Sequence, residues 1–284
     1  MQHLRRWLRR IGIGIAAAGL AWVVVMEAIE PHLLLKLTDI FGGGARPLEV
    51  PAVGGTTLRL YADTRPHIGK IAGLQKGLVW SANGTELIEE GYGFGCPIVW
   101  YDGRGYVSRH AAIESIPTER GVRLVKRFSM DTVDRPTRLL RRKYSPVPAL
   151  GVVEMAYELS GDVIEVEADF SGVTVPWSQA YLMNEQGACT FTRYIAPNGS
   201  VRSTPEIGIW QDVEGHTAAF ANDSGTIEFR VEAEGDVKLL YGRERYNQYC
   251  WRGVLYLSWS GVDIELSTRV PSYRYRVILT RLER

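Results

Sequence analysis

The chain has 284 residues, 45% of them hydrophobic, and its 33 basic residues nearly balance 32 acidic ones. That balance argues against a dedicated nucleic-acid binder, which needs excess cationic charge to displace counterions from phosphates. With 30 glycines and no long helical period beyond the N-terminus, the composition suits one large β domain with many turns.

The N-terminus is a different kind of sequence. Arg5, Arg6, Arg9 and Arg10 precede the uncharged run IGIGIAAAGLAWVVVM, and Glu27 and Glu30 follow it. By the positive-inside rule, residues 1–10 are expected in the cytoplasm, 11–26 as a transmembrane signal anchor, and the rest outside the cell membrane in a single-pass arrangement. The run falls short of the roughly 20 residues of a comfortable span, so a cleaved signal peptide is the alternative. Residues 27–41 keep helical periodicity and are expected as a short amphipathic helix. Residues 42–55, opened by Gly42-Gly43-Gly44, are expected as a linker.

From Thr56 to the C-terminus the pattern is short alternating runs separated by turn signals such as Asn83-Gly84, Ser160-Gly161-Asp162, Pro197-Asn198-Gly199 and Ser260-Gly261. This predicts an all-β fold, a large antiparallel two-sheet β-sandwich (supersandwich-like) over 56–284. Turn spacing is irregular, which disfavours a propeller. Two smaller sandwiches divided at Pro146-Val147-Pro148 are the alternative architecture. The strand pattern resembles large β-sandwich domains of carbohydrate-active proteins, although no residue motif carries over individual positions.

The hairpin Val152–Phe170 divides its faces cleanly. Val153, Met155, Tyr157, Ile164, Val166 and Ala168 alternate with Glu154, Glu158, Glu165, Glu167 and Asp169. Carboxylates facing each other across strands repel by a few tenths to about 1 kcal/mol per pair. Arg123, Arg127, Arg138, Arg141, Arg142 and Lys143 on the preceding strands are expected beside them.

The densest candidate site ends at Tyr106, with EGYGFGCPIVWYDGRGY running from Glu90. Glycines at 91, 93 and 95 leave one strand face bare, so a sugar ring, a packed aromatic side chain or a neighbouring strand could approach the backbone. Asp102-Gly103 reads as a hairpin turn. A second aromatic cluster, YGRERYNQYCW, spans Tyr241 to Trp251. Aromatic faces beside amide, guanidinium and carboxylate groups suit sugar recognition. The candidate ligand-binding residues are therefore Glu90, Tyr92, Phe94, Trp100, Tyr101, Tyr246 and Trp251.

Candidate catalytic residues are Asp131 and Glu185, each placed where a strand gives way to loop, with His110 and Lys126 as partners. The five histidines lack zinc-site spacing, and no nucleophile elbow is present, so no metal or cofactor is expected. Cys96, Cys189 and Cys250 are expected as three buried thiols. Asn83-Gly84-Thr85, Asn198-Gly199-Ser200 and Asn222-Asp223-Ser224 match the glycosylation acceptor pattern at turns.

These readings converge on a membrane-anchored extracytoplasmic β-sandwich that binds, and in its stronger form processes, a glycan or cell-envelope polymer. Alternatives are a non-catalytic structural or assembly protein of the envelope contacting protein partners, and a polysaccharide lyase or hydrolase.

Overall fold

The computed structural model describes residues 47–62, 74–88, 91–119, 121–134, 144–203, 207–245 and 258–282, together with 12, 14, 15 and 17–21. The chain separates into two units, residues 1–44 and 45–284. Of the expected anchor over 11–26, the described residues are helical and exposed. No helix among the described residues is long and apolar enough to cross a membrane. The expected helix over 27–41 lies outside the described residues.

In chain order the larger unit opens with β1 (Leu48–Ala52), β2 (Thr56–Leu60), β3 (Val79–Ala82), β4 (Thr85–Glu86), β5 (Gly93–Tyr101), β6 (Arg104–Val107) and β7 (Ala111–Thr118). It continues with β8 (Gly121–Ser129), β9 (Thr132–Asp134), β10 (Tyr144–Pro146), β11 (Val152–Ser160), β12 (Val163–Asp169), β13 (Gln179–Gln186) and β14 (Arg193–Ile195). The remainder is β15 (Val201–Ser203), β16 (Ile207–Asp212), β17 (Thr217–Ala221), β18 (Ile227–Ala233), β19 (Lys238–Arg245), β20 (Ser258–Leu266) and β21 (Ser272–Arg281).

Among the described residues these form a four-stranded sheet β1-β2-β3-β4, an eight-stranded sheet β10-β9-β6-β5-β13-β20-β19-β16, and a nine-stranded sheet β15-β14-β17-β18-β21-β12-β11-β8-β7. The strand pairings within each sheet are antiparallel. The two large sheets stack, with β17 and β18 on β20 and β11 on β5. In each large sheet the strands before and after Pro146-Val147-Pro148 are joined by hydrogen-bonded pairing, β5 with β13 and β8 with β11, and they share one core, so the two-sandwich alternative does not describe this chain. Residues 48–52, expected within the linker, form β1 instead, because Leu48, Val50 and Ala52 alternate as a strand requires.

The faces of the nine-stranded sheet follow the sequence pattern. Val153, Met155, Tyr157, Ile164, Val166 and Ala168 are in the core, while the glutamates between them face outward. Expected cations lie alongside: Arg127 Nε meets Glu154 at 2.7 Å and Arg123 meets Glu167 at 3.1 Å. Residues 135–143, with the other expected cations, lie outside the described residues. On the far side β21 supplies Arg274 and Arg276.

The glycine-rich stretch is occupied by the protein itself. Register shifts between Met183 and Asn184, whose partners are Cys96 and Phe94, so Gly95 is the extra residue of a bulge and takes φ +71°. A Cβ there would lie 2.7 Å from the Tyr157 ring, whose hydroxyl donates to the Gly95 carbonyl at 2.8 Å. The flat group that approaches the bare backbone is thus a packed aromatic side chain. Asp102 and Gly103, at φ 51° and 67°, close the β5–β6 hairpin as expected.

Candidate functional site

The outer face of the eight-stranded sheet carries an aromatic and polar row built by strand register. Trp100 on β5 stands opposite Gln179 on β13, and Tyr181 stands between Ile98 and Glu265. Registered partners share a face, so these side chains lie together on the side away from the core. Trp100 is 36% exposed, and Gly105 opposite it offers no side chain to cover the ring. Glu265 Oε1 accepts from Gln179 Nε2 at 2.7 Å and from Ser267 Oγ at 3.1 Å. Partial burial, and then the Glu265 carboxylate, push the Tyr181 phenol above its ordinary value.

Further along the same face the polar groups go under cover. Glu185 on β13 and Asp263 on β20 are 3% and 1% exposed. Gly261, directly opposite Glu185, leaves room for it: a Cβ there would meet Glu185 Cγ at 2.8 Å. Glu185 Oε2 accepts from the Tyr92 N–H at 2.9 Å, and Asp263 Oδ1 accepts from the Asn184 N–H at 2.6 Å. Asp263 Oδ2 has no partner among the described residues. Burial first, and then the Glu185 carboxylate, hold the Asp263 carboxyl well above the usual range, overriding the Asn184 N–H that favours its charge. Burial thus biases the Asp263 carboxyl towards its neutral form. On the core side, Asn184 Oδ1 accepts from Gly95 N–H at 3.1 Å and from the Tyr275 hydroxyl at 2.9 Å, joining the two sheets.

The predicted residues distribute unevenly over this framework. His110 and Asp131 meet at a corner where β6 crosses to β7 and β8 to β9: His110 Nδ1 lies 2.5 Å from Asp131 Oδ2. Asp131 Oδ1 accepts from Arg109 N–H at 2.9 Å and Thr132 Oγ1 at 3.1 Å, so the carboxylate is fixed while the imidazole is 82% exposed. Glu185 is not at a loop. The strand runs through Gln186, and β5 and β6 stand between β13 and β9, separating Glu185 from the Asp131 corner.

Lys126 faces the sandwich interior. Its Nζ donates to the carbonyls of Tyr61 and Lys76, both at 2.7 Å, and lies 4.9 Å from the Phe128 ring centroid, a structural tie between β8 and those segments. Phe94 belongs to the core, edge-on to Phe229 at 5.3 Å. Tyr92 is half-buried and contributes its backbone to Glu185. Tyr101 follows Trp100 and so points to the opposite face, towards Tyr106 at 6.4 Å. Glu90, Tyr246 and Trp251 lie outside the described residues. Cys96 is buried, which pushes its thiol up to about 12, whereas Cys189 is exposed, contrary to the expectation of three buried thiols. Cys250 lies outside the described residues.

Sequence reasoning missed Asp263 and Glu265 because Ser260-Gly261 reads as a turn. The alternation of Val262, Ile264 and Leu266 with Asp263 and Glu265 was the available signal for a continuous β20.

On the opposite side of the sandwich, the outer face of the nine-stranded sheet has a cavity of about 310 Å³ lined by five glutamates, three arginines, Ala156, Val166 and Tyr275. Glu167 pairs with Arg274 at 2.8 Å and Arg123 at 3.1 Å. Burial raises the Glu167 pKa, but these two hydrogen-bonded guanidiniums outweigh it and leave the carboxyl below its ordinary value.

No protein-family model and no curated protein matches the sequence. Among solved structures, the chain is similar to the α-N-acetylgalactosaminidase NagBb of Bifidobacterium bifidum in its GalNAc complex, with TM-score 0.50 and 11% identity over 84% of this chain and 36% of that one. The heparan sulfate lyase HepC of Pedobacter heparinus gives TM-score 0.47 and 7% identity over 85% and 36%. A putative aldose 1-epimerase of Escherichia coli K12 gives 0.43 and 9% over 83% and 99%. The chain thus spans about a third of the galactosaminidase and lyase chains. At these identities the likeness is one of fold alone, a β-sandwich shared with part of the galactosaminidase chain.

Proposed function

We propose that the protein binds a glycan on the outer face of the eight-stranded sheet, with Trp100 as the stacking platform and Gln179, Tyr181 and Glu265 as the hydroxyl-binding row. The observation that carries this reading is their juxtaposition: an exposed indole beside a hydrogen-bonded amide and carboxylate on one face. A sugar ring presents an apolar face to an aromatic ring and hydroxyls at its rim, which is the chemistry this row supplies. The fold shared with part of the galactosaminidase chain supports the class of ligand.

The arginines at 5, 6, 9 and 10 before the apolar run support attachment to a membrane with the β domain outside. Fractionation of cells and protease accessibility of the β domain test that part. For binding, a glycan array probed with the purified chain, Trp100→Ala and Glu265→Gln is the test. Binding that both variants lose by about tenfold or more supports the site, tenfold being about 1.4 kcal/mol. Binding that neither variant changes refutes it.

A second reading, turnover of the bound glycan, rests on the His110–Asp131 pair, because a carboxylate-aligned imidazole is a suitable general base. Product formation from an array hit, abolished in His110→Ala, would support it. Turnover unchanged in that variant would remove it.

A further inference from the structure

The row on the outer face of the eight-stranded sheet has a hydrogen-bonding polarity, and Glu265 sets it. A carboxylate accepts and never donates, so the Gln179 amide turns its nitrogen to Glu265 Oε1 at 2.7 Å. Gln179 Oε1 is thereby left for other donors. It accepts from no described residue and, unlike the unpartnered amide oxygen of Gln75, it is not enclosed, so it is open to solvent. Ser267 Oγ also donates to Glu265 Oε1, at 3.1 Å, and the Tyr181 hydroxyl hydrogen-bonds to the same carboxylate. With these hydrogens drawn to one carboxylate, the row offers a ligand mainly lone pairs.

The charge of the row works in the same direction. Lys238 on β19 stands opposite Glu265 on β20, and its ammonium is held by Asp212 at 2.8 Å. Two carboxylates thus flank one cation, which leaves the row negative. Trp100 adds an apolar ring and a neutral indole N–H. A sugar hydroxyl or amide N–H can donate to Gln179 Oε1 and to the oxygens around Glu265. A sugar carboxylate or sulfate brings no hydrogen to donate, and it meets like charge.

We propose that Glu265 makes this face selective for uncharged glycans. It holds Gln179, Tyr181 and Ser267 so that they receive hydrogens from the ligand, and its charge repels glycans that carry carboxylates or sulfates. The inference rests on the Trp100-face reading and adds to it the charge class of the ligand and the residue that sets it.

The test is a glycan array of matched pairs: each uronate-containing or sulfated oligosaccharide stands beside the same chain with its carboxyls reduced to alcohols or its sulfates removed. Pairs that bind are then titrated calorimetrically with the full chain, Trp100→Ala and Glu265→Gln, at low and at physiological salt. At low salt the neutral member is expected to bind at least about tenfold tighter than its anionic counterpart, and Trp100→Ala weakens it. Salt screens repulsion between exposed charges, so the preference shrinks by about threefold or more at physiological salt. In Glu265→Gln the neutral member weakens and the anionic member does not, which brings the preference to about threefold or less. A merely structural role for Glu265 would weaken both members alike. Equal or tighter binding of an anionic member that Trp100→Ala abolishes overturns the charge selectivity and leaves the Trp100 reading standing. A preference that Glu265→Gln leaves unchanged does the same. No binding of any member, or binding indifferent to Trp100→Ala, overturns that reading and this inference with it. Circular dichroism checks that the variants are folded, and the salt dependence of the unaltered chain decides the question if Glu265→Gln is not.

Discussion

The Asp263→Asn substitution tests the electrostatics of the buried pair. In the folded protein the Asp263 carboxyl stays neutral well above its ordinary value of 3.8, because it is buried beside Glu185. The unfolded chain ionises near 3.8, so this group's contribution to stability is fully present below that pH. It is lost as pH rises from there through the folded pKa. For one proton the loss is about 1.4 kcal/mol per pH unit across that window. The Asp263→Asn variant would keep an acceptor for the Asn184 N–H, now at 2.6 Å, and would remove the ionisation. Urea unfolding of both proteins at several pH values between about 4 and 7 measures the difference. The variant should gain on the wild type by about 1.4 kcal/mol per unit as pH rises, until the folded carboxyl itself ionises. A difference independent of pH would refute the neutral-carboxyl reasoning.

Three further outcomes are expected. Gly95→Ala should destabilise by about 2–4 kcal/mol in chemical denaturation, combining left-handed strain with overpacking against a Tyr157 ring that its own hydrogen bond holds in place. Tyr157→Phe should cost about 1–2 kcal/mol by the same assay, through the lost hydrogen bond to the Gly95 carbonyl. Glu167→Gln should lower stability by about 0.5–1 kcal/mol at neutral pH, a value discounted for the exposure of Arg274. Because the folded Glu167 pKa lies below its ordinary 4.5, that contribution is present above 4.5 and vanishes as pH falls through the folded value. Melting temperatures of the two proteins should therefore converge in acid.

Much of the architecture was legible because strand alternation is a local signal. Glu154, Glu158, Glu165 and Glu167 declare an outward face, and Val153, Met155, Ile164 and Val166 an inward one, before any partner is known. Asp102-Gly103 likewise specifies its own turn. The His110–Asp131 contact was half legible: both residues stood out, but their meeting depends on β9 pairing beside β6.

The sites depended on the tertiary structure, because non-local pairing decides which residues share a face. Asp263 and Glu185 are 78 positions apart and meet only because β20 lies beside β13. Gly95 looked like open backbone until Tyr157, from the other sheet, occupied it. Phe94 and Lys126 were read as site residues from their neighbours in sequence, and burial claimed both. By itself the sequence determined the β class, the facing of β11 and β12 and turns such as Asp102-Gly103, since these rest on side-chain period and backbone preference within a few residues. Only the folded sheets decided which carboxylates lose water, which arginines are engaged, and which aromatic ring is left exposed, because those are properties of packed surfaces.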